Sequence, residues 1–360
     1  MKHIINTDSS VDFTKLPVFF GSSDGMSIQR YDKFRYDKIF NMFKQHISYF
    51  WRPEEINLSK DKGDFQSLND HEKFIFTKNL GYQILLDSIQ SRGISNLLEN
   101  CSNQEVELFS KTWEFAETIH SYSYTYIIKN IYSDPSEMFD SIMMDEEILK
   151  RASSVTKYYD DLINSIPDES ERDKKKKLYL TLVSINILEG IRFYVSFACS
   201  FCFAQNKKME GNAKIISLIA RDENLHMGFT SFLLKTLKEN WEEGFQTIVE
   251  ECEPIVYKMY EDAAKEEMEW AEYLFKDGSM IGLNAEILIQ YMKYLTNSRM
   301  KIIGLDPIFD KVQNPINWIN NWISGSNNVQ AAAQETEIEN YVTGAFKQDL
   351  DESDYKEFNF

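Results

Sequence analysis

The sequence predicts an all-α fold: a bundle of long helices, with additional helices around it and a flexible tail. Three observations carry that expectation. Long stretches lack proline and glycine while their apolar residues return every three or four positions, the period of a half-buried helix. Seven prolines (Pro17, Pro53, Pro135, Pro167, Pro254, Pro307 and Pro315) punctuate these stretches, and no Pro- or Gly-rich linker divides the chain. Two Glu-x-x-His steps, Glu117 to His120 and Glu223 to His226, each follow a lone acid, Asp87 or Glu189, by about thirty residues.

Taken in order, the first of the four key helices opens near Asp70, its expected N-cap, and closes near Gly93. Asp87 lies toward its end. The next spans residues 105–133, where Phe109, Trp113, Ala116, His120, Tyr124, Ile127 and Ile131 form one buried stripe. Tyr124 follows His120 by four positions, so its phenol is aimed at the same site, one turn further along. A third helix begins at about Leu178 and carries Glu189, with Phe193 and Phe197 following at four-residue steps. Its surroundings should be apolar. The fourth holds Ile216, Ile219, Glu223, His226, Thr230 and Leu233 on one face, with Asp222 beside it. Of the five histidines (His3, His46, His71, His120 and His226), the two in the motifs are the two expected on strongly apolar stripes.

On an α-helix, positions i and i+3 project from nearly one face, so each Glu-x-x-His pair can reach one metal ion or two adjacent ions. A gap near thirty residues is enough for the rest of one helix, a turn and the antiparallel climb of the next. Four helices then aim six ligands inward, as in ferritin-like di-iron and di-manganese proteins, here with Asp in place of one lone Glu. A single Glu-x-x-His is more often a surface or capping pair; two, each with its lone acid, are an internal duplication of ligands. Burying four carboxylates without cations would cost on the order of several kcal/mol each. The carboxylate-rich set suits iron or manganese better than zinc, and neither motif extends to the His-Glu-x-x-His of zinc proteases.

Composition narrows the remaining classes. With 360 residues, 43% of them hydrophobic, the chain can bury a large core as one helical domain, residues 1–324, followed by a polar tail, residues 325–360. A formal charge of −18 opposes nucleic-acid binding, which rests on neutralising phosphates. The one basic run, residues 174–177, follows an acidic stretch and reads as a solvated helix start. No signal segment and no run of eighteen apolar residues is present, so no membrane association and a cytoplasmic location are expected. Cys199 and Cys202 form a C-x-x-C inside an apolar run with no second pair, and read as buried, inert thiols.

Several segments carry a specific likeness: Phe50-Trp51-Arg52-Pro53-Glu54-Glu55, Leu85-Leu86-Asp87-Ser88-Ile89-Gln90, Glu117-Thr118-Ile119-His120-Ser121, Ala220-Arg221-Asp222-Glu223 and Asp277-Gly278-Ser279-Met280-Ile281-Gly282. Through them nearly the whole chain resembles the small, radical-generating subunit of class I ribonucleotide reductase, most of all the class Ia form of bacteria and their phages. The resemblance implies two iron ions per chain, with manganese possible. Asp87, Glu117 and His120 would bind one and Glu189, Glu223 and His226 the other, with Glu117 bridging. It further implies that O2 reacts at this centre and that Tyr124 carries a stable radical. Phe193, Phe197 and Ile219 would line the radical's pocket, and Trp51 and Asp222, linked to His120, would begin a long-range relay that ends at Tyr341. The implied partner is a large catalytic subunit that reduces ribonucleoside diphosphates, gripped by the tail and its terminal aromatics; a homodimer is also implied. Departures are few: Tyr122 stands where close relatives carry Arg, Ala116 where they carry Ser, and the segment before Lys174 is shorter. Tyr355 has no assigned role.

Two rival readings share the ligands. A di-iron oxygenase would need neither Tyr124 nor a docking tail, and would act without a partner. A ferritin-like iron store would load far more metal than a two-ion cofactor site.

Overall fold

The computed structural model describes residues 3–22, 25–164 and 168–323. The expected tail, with Tyr341 and Tyr355, lies outside the described residues. Helices run as α1 (Asp37–Ser48), α2 (Ser59–Ser67), α3 (Asp70–Gly93), α4 (Ser95–Leu98), α5 (Gln104–Ile131), α6 (Pro135–Ile142), α7 (Glu146–Ile163), α8 (Glu171–Ile187), α9 (Tyr194–Gln205), α10 (Glu210–Glu239), α11 (Gln246–Leu274), α12 (Ala285–Ile302) and α13 (Asn320–Ile323). Among the described residues there is no strand, only two isolated bridges. The all-α expectation holds.

Several of the long helices start where side chains satisfy their first amides. Asn103 accepts from Val106 N at the head of α5, Asp145 from Glu147 N and Ile148 N at α7, and Ser170 from Asp173 N at α8. For α3 the cap is Asn69, one residue before the expected Asp70. Asn69 Oδ1 accepts from Glu72 N at 2.9 Å and Glu72 Oε2 accepts from Asn69 N at 3.2 Å, a reciprocal capping box. Asp70 instead places its charge in the first turn, at the positive end of the helix dipole.

Helix α10 is capped from a distance. Its N-cap residue, Met209, sits at φ 54° with no side-chain cap of its own. The fully buried Asp61 of α2 supplies the acceptor, taking amides from Gly211 at 3.1 Å and Asn212 at 2.6 Å. Gly211 is required by that approach, because a Cβ there would lie 2.8 Å from Asp61 Oδ2. The loop before α10 is thereby tied to α2, and the start of the helix that carries Glu223 and His226 is fixed.

The bundle forms by packing α3 on α5, α8 on α10 and α5 on α10, with α1, α7, α9, α11 and α12 closing around them. One departure from the expected helix pattern matters for the site. The third key helix does not begin at about Leu178 and continue unbroken; it begins at Glu171, and a π-turn at Leu188–Arg192 separates α8 from α9. Glu189 and Gly190 lie in this wider turn, and Arg299 of α12 donates through Nε to the Gly190 carbonyl at 3.2 Å. The basic run falls in the first turns of α8, as expected, with Lys175 paired to Glu171 and Lys176 to Glu251. Among the described residues, the stretch Glu171–Gln205 is long and apolar enough to cross a membrane, but its most apolar window is wholly buried inside the protein. All four cysteines are free and buried, and burial pushes the Cys202 thiol up to about 12.

Tight packing beside Gln90 and Glu189 gives a stability test. A Cβ on Gly93 would lie 2.3 Å from Tyr159 Cε1, and the Tyr159 hydroxyl donates to Gln90, which in turn donates to Glu189. Gly93→Ala should therefore displace that ring and lower the stability of the metal-free protein by about 1–3 kcal/mol, read as a lower thermal midpoint. An unchanged midpoint would mean that Tyr159 moves freely.

Candidate metal centre

Asp87 enters from α3, Glu117 and His120 from α5, Glu189 from the π-turn, and Glu223 and His226 from α10. All six are fully buried. Their donor atoms fall into two overlapping groups, Asp87, Glu117, His120 and Glu223 on one side and Glu117, Glu189, Glu223 and His226 on the other, with each group's atoms within 4.8 Å of one another. Glu117 and Glu223 belong to both groups, so Glu223 shares the in-between position that the resemblance gives to Glu117 alone. His120 Nδ1 lies 3.4 Å from Glu117 Oε2 and 3.1 Å from Glu223 Oε1. His226 Nδ1 lies 2.9 Å from Glu223 Oε2, 3.2 Å from Glu117 Oε1 and 3.6 Å from Glu189 Oε2.

The donors fit metal ions because protein groups alone leave them incomplete. Asp87 Oδ1 and Oδ2, Glu117 Oε2, His120 Nδ1, Glu189 Oε2 and Glu223 Oε1 are buried without a hydrogen-bond partner among the described residues. Burial, and then the charges of Glu117 and Glu223, push the Asp87 carboxyl well above the usual range; burial with Glu223 and Glu117 does the same to Glu189. Against its burial, Glu223 is held below the usual range by the neighbouring Glu189 carboxyl and by His120. Both histidines are raised despite burial, His120 chiefly by the charge of Glu223 and His226 by its contacts with Glu117 and Glu223. Two cations would replace these shared protons.

Tyr124 is fully buried one turn beyond His120. Its hydroxyl makes no hydrogen bond of ordinary geometry, and burial, followed by the charge of Asp87, drives its pKa well above 10. Phe193, Phe197 and Ile219 are all fully buried, with the two phenyl rings stacked at 5.6 Å. Trp51, Asp222 and His120 are brought together: Trp51 Nε1 donates to Asp222 Oδ2 at 2.8 Å, and the same oxygen faces His120 Nε2 at 3.2 Å. Asp222 stays below the usual carboxylate range against its burial, held by the His120 hydrogen bond and the charge of Arg221. Tyr122 is about half-exposed and donates to Glu54, away from this cluster. Tyr341, the expected far end of the relay, is outside the described residues.

The structure adds side chains that the sequence reading missed. Trp113 Nε1 donates to Glu117 Oε1 at 2.8 Å, and its position one turn before Glu117 on the same stripe was the available signal. Arg221 donates through Nε to Asp222 Oδ1 at 3.2 Å and through Nη2 to the Tyr49 carbonyl at 2.7 Å. His46 corrects the expectation that only two histidines lie on apolar stripes. It is 5% exposed, stacked on Phe109 and 3.1 Å from His226. Burial, then the charge of His226, pushes it down to about 3. Ile39, Phe43 and His46 do form a stripe on α1, which the short, polar look of that helix conceals.

Residues 29–315 match the family described as "Ribonucleotide reductase, small chain". The chain is 48% identical to the ribonucleoside-diphosphate reductase 1 subunit beta of Escherichia coli O157:H7, over 96% of each chain. It is 41% identical to the subunit beta of Enterobacteria phage T4, over 98% of this chain and 97% of that one. Among solved structures, the ribonucleotide reductase R2 subunit from Clostridium botulinum superposes with a TM-score of 0.80 at 26% identity, covering 89% of this chain and 97% of that chain. Those matches span the bundle that holds the carboxylate and histidine cluster, and the chain belongs to the ribonucleotide reductase small-chain family, as the small subunit of an oxidoreductase that works with a large subunit.

Proposed function

We propose that this chain holds two iron ions among Asp87, Glu117, His120, Glu189, Glu223 and His226 and keeps an oxidising equivalent as a radical on Tyr124. Asp87, Glu117 and His120 would hold one ion and Glu189, Glu223 and His226 the other, with Glu117 belonging to both donor groups; manganese suits the same hard donors. When bound, the metal pair supplies the reaction with O2 that makes an oxidant strong enough to take one electron from a phenol.

The chain's own residues then decide what becomes of that oxidant. Tyr124 stays a neutral phenol until it is oxidised, because burial and the Asp87 charge oppose its ionisation. On oxidation it loses one electron and its hydroxyl proton, the latter toward the carboxylate side of the pocket. Phe193, Phe197 and Ile219 exclude the water that would quench the product. For export, oxidation of Trp51 requires an acceptor for its indole proton, and Asp222 Oδ2 lies 2.8 Å away. From there Tyr341 passes the radical to the large subunit, which reduces ribonucleoside diphosphates to deoxyribonucleoside diphosphates. A homodimer in the cytoplasm is the expected state.

The observation that carries this reading is the convergence of six buried donors from four segments, with unpartnered oxygens, beside a buried phenol. Adding Fe(II) and air to the metal-free protein tests it. A tyrosyl signal in electron paramagnetic resonance and about two ions per chain are expected; iron bound without any radical would contradict it. Docking through the tail has its own test. Deleting residues 352–360 should leave the radical intact while abolishing ribonucleotide reduction with the large subunit, and full retained activity would rule that docking out.

A further inference from the structure

The two histidines of the duplicated motif pass their outward-facing N–H groups to different kinds of acceptor. His120 points Nδ1 at Glu117 and Glu223 and turns Nε2 to the Asp222 carboxylate at 3.2 Å. His226 likewise points Nδ1 at Glu117, Glu189 and Glu223, so that a metal taking the Nδ1 lone pair leaves the ring proton on Nε2. That Nε2 meets no carboxylate. It meets Nε2 of His46 at 3.1 Å, from a helix that contributes none of the six ligands.

The contacts around His46 fix the direction of every hydrogen bond. If His226 donates from Nε2, His46 Nε2 must accept, so His46 is neutral and carries its proton on Nδ1. His46 Nδ1 lies 3.2 Å from Thr112 Oγ1, which is free to accept because its own hydroxyl donates to the Phe109 carbonyl at 2.8 Å. The chain His226 to His46 to Thr112 to Phe109 therefore has one consistent polarity and ends on the backbone of α5. The His46 ring is held in place by stacking on Phe109, with centroids 5.3 Å apart and planes 23° apart.

We propose that His46 is a positioning residue of the metal centre: it accepts the His226 Nε2 proton, fixes His226 in the tautomer that presents the Nδ1 lone pair, and aims that ring at the metal. It is the counterpart of Asp222 at the other histidine, with a neutral imidazole in place of a carboxylate. A metal-ligating imidazole takes its tautomer and orientation from the partner of its other nitrogen, and removing such a partner commonly weakens metal binding about 10–100-fold. The inference rests on the metal-centre reading above.

The test uses Co(II) binding to the metal-free protein by equilibrium dialysis, with its visible spectrum, on the wild type, His46→Phe and His46→Gln. Phe keeps the stack on Phe109 but cannot accept; Gln restores an acceptor. The wild type should bind two ions. In His46→Phe one ion should bind about 10–100-fold more weakly with an altered spectrum while the other is unchanged, and His46→Gln should recover most of the loss. In wild-type protein loaded with diamagnetic Zn(II) and carrying labelled histidine, two-bond 1H–15N couplings should place the proton of His226 on Nε2 and that of His46 on Nδ1. Two ions bound equally well by wild type and His46→Phe, or a His46 proton on Nε2, would overturn the role of His46 and leave the metal centre standing. Failure of the wild type to bind two ions would overturn both. A melting curve on each metal-free variant separates misfolding from lost ligation, and the couplings decide the matter on wild type alone.

Discussion

Tyr124→Phe should eliminate the tyrosyl signal formed with Fe(II) and air and reduce ribonucleotide reduction with the large subunit by more than about a thousandfold, a barrier of about 4 kcal/mol or more. The size follows from the role: without this phenol no oxidising equivalent is stored, however well the metal binds. The substitution removes one oxygen and touches none of the six ligands. That oxygen is buried with no hydrogen-bond partner of ordinary geometry, so its loss leaves nothing newly unpaired. The metal-free variant should accordingly melt no lower than wild type and should still bind two ions. Retention of the radical in this variant would place it on another residue. A large drop in melting temperature would show that the hydroxyl has a structural partner.

Asp222→Asn should separate making the radical from using it. Asp222 accepts from Trp51 Nε1 at 2.8 Å and from Arg221 Nε at 3.2 Å, and faces His120 Nε2 at 3.2 Å. An amide of the same shape has one acceptor oxygen, and its NH2 must then face a donor. It also leaves the nearly buried Arg221 guanidinium without its counter-charge, which is worth about 3–5 kcal/mol when a buried pair is broken on one side. Radical formation at saturating iron should survive at reduced yield, because His120 keeps its place on α5. Turnover with the large subunit should fall by about a hundredfold or more per radical, since the Trp51 indole has lost its proton acceptor. Radical yield by electron paramagnetic resonance and deoxyribonucleotide formation on the same sample check this. Equal losses in both would assign Asp222 to metal binding alone.

The sequence was most legible where ligand chemistry imposed a short spacing. Glu117 with His120 and Glu223 with His226 are one turn apart on single helices, so three-residue steps revealed a site that the fold closes. Asp87 and Glu189 followed from the repeat of the pattern. Trp51 and Asp222 were legible only through family likeness, because they meet across 171 residues of chain and Trp51 lies outside any helix, where no period marks it. The π-turn at Glu189 was invisible for a related reason: a run of buried apolar residues reads alike whether the backbone winds as α or π. His46 was missed because polar neighbours hid its stripe, although its partner is a candidate ligand. The Asn69 cap was missed by one residue because two adjacent residues both suit a cap and only the side-chain geometry decides between them.

The central claim is that six side chains hold a pair of redox ions beside a dry phenol. A crystal of the protein loaded with Fe(II) and measured at the iron absorption edge tests this most directly. Two anomalous peaks are expected, one within bonding distance of His120 and the other of His226, both flanked by Glu117 and Glu223 and close to Tyr124. A single peak, or peaks away from these side chains, would contradict it.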